Sequence, residues 1–110
     1  MIAPDFDLEE VDIKFLDKSI DYINRQSKDK PFFLVHSAQA VHLPSFPAKV
    51  CQGKTNAGPH GDFIYQFDYI VGEIVKALKK KGLAENTLVV ISSDNGPEVP
   101  TVLHLSLIHI

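Results

Sequence analysis

Two short, almost unbroken apolar runs stand out from a chain that otherwise alternates at helical spacing. Phe32-Phe-Leu-Val35 and Leu88-Val-Val-Ile91 are rich in aromatic or β-branched residues. Apolar runs of this length, bounded by polar and turn residues, predict strands covered on both faces. Ahead of the first run, Leu8, Val11, Phe15, Ile20 and Ile23 form a stripe that predicts a helix to about Gln26. Asp7 is placed to cap it, with Glu10 three residues on in the manner of a capping box. Glu9, Asp12, Lys14, Asp17, Lys18, Asp21 and Arg25 are assigned to its solvated face. Between the two runs, Ile64, Phe67, Val71, Ile74, Val75 and Leu78 predict a second helix from about Asp62 to Lys81. Lys76 and Lys79 to Lys81 suit the negative end of its dipole, and Gly82 suits the residue just past its end, with Leu83 making the apolar contact.

The order is therefore helix, strand, loop, helix, strand. A strand–helix–strand unit closes as a right-handed parallel crossover. The expected fold class is α/β, part of a mostly parallel sheet flanked by helices, and incomplete with only two strands. In such a sheet, ligands bind outside the carboxyl ends of the strands. That geometry would bring His36, Gln39 and His42 towards Asp94 and Asn95, some fifty residues later.

Ser92-Ser-Asp-Asn95 places four oxygen-bearing side chains after the second run, and Gly96-Pro97 ends it. A carboxylate beside an amide oxygen is a reasonable pair of ligands for a hard cation such as calcium. The same Asp-Asn-Gly residues also make an ordinary turn. His42 lies in a segment punctuated by Pro44 and Pro47; it is either a surface imidazole or a general acid. His36, at the end of a run, reads as structural, and His60 as part of a tight turn before the second helix. Residues 43 to 60 form a long connection holding Pro44, Pro47, Gly53, Gly58 and Pro59, a length at which loops are often functional.

Bulk properties narrow the field. The 110 residues are 45% hydrophobic and 23% charged, which suits one small globular domain with a modest core. A net charge of −3 offers no basic surface for nucleic acid. No apolar run is long enough to span a bilayer, and no signal peptide is visible. Cys51 is the only cysteine, which excludes an internal disulfide and a cysteine-based zinc site; it reads as a buried or idle thiol.

In order along the chain, Lys30-Pro-Phe-Phe-Leu34, Ala40-Val-His-Leu-Pro44, Gly53-Lys54, Gly58-Pro-His-Gly-Asp62, Val71-Gly72, Gly82-Leu-Ala-Glu-Asn-Thr-Leu88 and Ser93-Asp-Asn-Gly-Pro97 resemble the middle of a type I sulfatase, of the alkaline phosphatase superfamily. The resemblance covers residues 5 to 102 and rests on order and spacing rather than on one motif. It implies an alkaline phosphatase-like core and hydrolysis of a sulfate ester. It assigns Asp94 and Asn95 to the active-site calcium, and His42 to contact with the sulfate ester and to protonating or stabilising the leaving oxygen. Residues 1–102 would be the central segment of a sulfatase catalytic domain, and 103–110 a tail without family counterpart.

The departures carry their own implications. The family's nucleophile, a formylglycine made within Cys/Ser-x-Pro-x-Arg, has no motif here: Cys51-Gln-Gly-Lys-Thr55 lacks the proline and the arginine. The family's paired aspartates and a downstream lysine are also absent. The resemblance thus implies an internal piece of a larger enzyme, inactive and weakly stable alone. By family analogy the parent is periplasmic or secreted. Two rivals remain: a phosphodiesterase or phosphonate hydrolase of the same superfamily, and a non-catalytic α/β module.

Overall fold

The computed structural model describes residues 6–96. Two apolar stripes become two helices that pack on one another: α1, Val11–Asn24, and α2, Gly58–Lys81. Short 3₁₀ turns occupy Lys49–Cys51, in the connection between them, and Ala84–Asn86, just after α2.

The start of α1 differs from the capping-box expectation. The Asp7 carboxylate accepts the Glu9 N–H at 3.0 Å, so it closes the turn before the helix instead of capping it. Glu10 precedes the helix without a side-chain cap bond. Its carboxylate instead accepts the Lys49 N–H at 3.2 Å, tying this end of the helix to the long connection. The buried face is rotated from the predicted stripe. Asp12, Leu16, Ser19 and Ile23 face inward, whereas Leu8 and Phe15 are about half exposed.

The second helix begins four residues earlier than predicted, with Pro59 in its first turn, where a missing N–H costs nothing. Its buried side holds Asp62, Phe63, Gln66, Ile70, Ala77 and Leu78. Apolar residues nearly encircle this helix, so periodicity alone could not choose between adjacent faces. Its end matches the expectation. Gly82 adopts φ +72°, the left-handed conformation that glycine reaches without a Cβ clash. Leu83 donates its N–H to Leu78 O at 2.9 Å and buries its side chain.

Ile23, Ala77, Leu78 and Leu83 form one buried apolar cluster, with Ile20, Ile74, Ala84, Phe32 and Leu34 packed against it, and Leu16, Phe63 and Ile70 are buried as well. Full burial of a large aliphatic or aromatic side chain stabilises by about 1.5–3 kcal/mol.

The expected parallel sheet is not there: among the described residues there is no strand. The physical reason is visible in the two apolar runs. Phe32 and Leu34 lie against the helix pair, while Phe33 and Val35 point away and are 85% and 68% exposed. In the second run Leu88 is 89% exposed and Val90 76%. The helices cover one side only, and neither run makes the backbone ladder with a neighbour that defines a strand. An unbroken apolar run predicts cover on both faces; these two are covered on one or neither. Residues 103–110, expected to be a tail without family counterpart, lie outside the described residues.

Candidate functional site

The best-ordered chemistry centres on the segment after Phe32-Phe-Leu-Val35. Asp12, on the inner face of α1, is 1% exposed. Its Oδ1 accepts the Gln39 N–H at 2.7 Å, and its Oδ2 accepts the Ala40 N–H at 3.0 Å. Oδ2 also accepts from Gln66 Nε2 at 2.9 Å, reaching across to α2. The same Gln66 side chain, equally buried, accepts the Ala48 N–H on its Oε1 at 2.6 Å. A buried carboxylate is costly unless donors satisfy it, and three donors do so here. One carboxylate and one amide thus hold both ends of the stretch from Gln39 to Ala48.

Farther along, Asp62 performs a similar task. Its carboxylate accepts the Gly53 N–H at 2.7 Å, the Thr55 N–H at 2.8 Å and the Thr55 hydroxyl at 3.1 Å. The Gly53 N–H foremost, against the opposing effect of burial and with help from Thr55, holds this carboxyl below the usual carboxylate range. Gly61 allows the close approach: a Cβ there would meet Ala57 Cβ at 2.5 Å and Thr55 Oγ1 at 2.6 Å.

His42 sits in the turn that this network frames. Its backbone N–H donates to Gln39 O at 2.9 Å, closing the turn directly on the residue Asp12 grips. The side chain is exposed, and its Nδ1 faces Leu43 O. A carbonyl only accepts, so this contact requires the hydrogen on Nδ1.

Asp94 and Asn95 lie at the other end of the described chain, both exposed. The contacts there are local: Ser93 Oγ donates to Asn95 O at 2.7 Å, and Asn95 Nδ2 donates to Gly96 O at 2.6 Å. The Asn95 side-chain oxygen is an acceptor, next to the Asp94 carboxylate in sequence. The donor chemistry fits a hard cation, but two side-chain oxygens are a partial set for calcium, which takes six to eight. Among the described residues no group of three or more His, Cys, Asp or Glu side chains could hold a metal ion. The expected convergence of His36, Gln39 and His42 on Asp94 and Asn95 depends on a sheet edge, and no sheet is present among the described residues.

The remaining candidates are structural. His36 Nδ1 pairs with Ser19 Oγ at 2.8 Å, while its Nε2 is buried without a partner. Burial pushes the imidazole below its usual range, against the pull of the Asp12 charge. His60 Nδ1 pairs with Ser45 Oγ at 2.8 Å, joining the first turn of α2 to the connection. Cys51 is fully buried, and burial pushes its thiol up. No helix among the described residues is long and apolar enough to cross a membrane.

Asp12 is expected on the solvated face and Gln66 carries no expectation, so neither stands out from the sequence. The signal was present: Asp12, Leu16, Ser19 and Ile23 repeat at one helical face, as do Phe63, Gln66 and Ile70.

Comparison with known proteins adds a second line of observation. The profile of the Sulfatase family matches residues 5–106. N-acetylgalactosamine-6-O-sulfatase of Bacteroides thetaiotaomicron is 42% identical over 72 residues, which are 66% of this chain and 14% of that protein. Human N-acetylgalactosamine-6-sulfatase is 35% identical over 82 residues, 74% of this chain and 16% of that protein. Human arylsulfatase A is 38% identical over 73 residues, 66% of this chain and 14% of that protein. The matched stretches therefore span about one-seventh of these relatives. No solved structure matches the chain.

Proposed function

The chain belongs to the sulfatase family, and from that premise we propose that it supplies part of the active site of a sulfuric ester hydrolase. The observation that carries the reading is the family match over residues 5–106, joined to the likeness to three proteins named as sulfatases. The substrate is a sulfate ester. In this reading His42 meets the ester and delivers a proton from Nε2 to the departing oxygen, with Leu43 O holding the ring through Nδ1. Asp94 and Asn95 contribute two oxygens to a metal site, with calcium the proposed ion. When bound, such a cation withdraws negative charge from the sulfuryl oxygens. The formylglycine nucleophile is not supplied by Cys51, which is buried and lacks the motif around it. By analogy with the family, we place the whole protein in the periplasm or outside the cell.

The test is hydrolysis of 4-nitrophenyl sulfate by the full-length enzyme that carries this segment. His42→Ala and Asp94→Ala are each expected to lower kcat by about 10²-fold or more, the scale of a lost general acid or charge stabiliser. Wild-type-like rates in both variants would overturn the assignments. Faster turnover of a phosphate diester than of the sulfate would favour the phosphodiesterase alternative.

A further inference from the structure

We infer that Asp12 and Gln66 are positioning residues for His42, acting as one buried clamp that sets where its turn lies against the two helices. The inference rests on the proposed role of His42 and goes beyond it, since both residues are buried and reach His42 only through the backbone around it. The clamp is complete in hydrogen-bond terms. Asp12 takes the N–H groups of Gln39 and Ala40, and Gln39 O takes the N–H of His42. Gln66 donates to Asp12 and accepts from Ala48. Two side chains on two helices thus fix the backbone three residues before His42 and six residues after it.

The chemistry suits this task better than an apolar contact would. A carboxylate gripping two successive N–H groups fixes direction as well as distance, and charge-assisted bonds are the strong ones. Both side chains are 1% exposed, so water cannot compete for these donors. Asp12 and Gln66 lie 54 residues apart, and their bond ties the stacking of the two helices to the placement of the turn. Displacing a catalytic group by about 1 Å can cost about 10²-fold in rate.

The experiment is a double-mutant cycle in the full-length enzyme, with 4-nitrophenyl sulfate as substrate and kcat referred to the folded fraction measured by circular dichroism. Asp12→Asn and, as a second variant of similar size, Gln66→Met are expected to lower kcat by about 10- to 10²-fold, with KM changed far less. In a His42→Ala background, adding either change should alter kcat by less than about twofold, because residues that act through one another are not additive. A loss of equal size in both backgrounds would overturn the proposal, since a merely structural role lowers both alike. If His42→Ala is crippled while Asp12→Asn and Gln66→Met keep wild-type kcat, the clamp falls and the role of His42 stands. If His42→Ala itself keeps wild-type kcat, the role of His42 falls and the clamp falls with it.

Discussion

The turn carrying His42 and the segment carrying Asp94 and Asn95 are built in opposite ways. The first is held by buried side chains from both helices: Asp12 and Gln66 around residues 39–48, and Asp62 around residues 53–55. The second follows an apolar run whose Leu88 and Val90 are largely exposed, and among the described residues its side-chain hydrogen bonds reach no farther than two residues. One half of the candidate site is thus organised by the chain's own helices, and the other is not. Organisation follows wherever a buried acceptor collects backbone donors. It does not follow from apolar content, which is higher in the 88–91 run than in the 39–48 turn.

The largest expected effect probes the scaffold behind the ordered half. Ile23→Ala removes a fully buried side chain from the core and should cost about 2–5 kcal/mol in urea unfolding of the chain. A loss below about 1 kcal/mol would show that the helix pair does not carry the fold.

The next test sharpens the contrast through pH. Burial holds the His36 imidazole below its ordinary range. The unfolded chain therefore takes up this proton first as pH falls through about 6.5, and the folded chain only lower. Stability from this residue is present above about pH 6.5 and is lost as pH drops towards the folded value. The urea midpoint should fall between pH 8 and pH 5.5, and His36→Gln should flatten that slope. An unchanged slope in the variant would remove His36 as the cause. Asp62, held low by its donors, contributes in the same sense at more acidic pH, below about 4.

The smallest expected effect lies in the other half. Leu88→Ser, at an almost fully exposed position, should shift stability by less than about 0.5 kcal/mol. A loss above about 2 kcal/mol would break the comparison, because it would mean that the run is buried in solution.

Much was legible in the residues. The two helices followed from spacing, and the end of α2 followed from Gly82 and Leu83, because a left-handed residue and its apolar partner are local requirements. His42, Asp94 and Asn95 stand out by their place after the two apolar runs and take their roles from the resemblance to sulfatases, and the family itself is borne out by the match over residues 5–106. Cys51, expected to be buried or idle, is buried.

Local pattern determined where helices form and end, since propensity, capping and periodicity act within a few residues of each other. Tertiary structure alone decided which helical face turned inward, that Asp12 and Gln66 are buried partners 54 residues apart, and that the two apolar runs stay unpaired among the described residues. A polar side chain at a buried position is worth its desolvation only when distant donors meet it. A strand exists only when a second one lies alongside. Both conditions depend on parts of the chain far away in sequence, and no local pattern contains them.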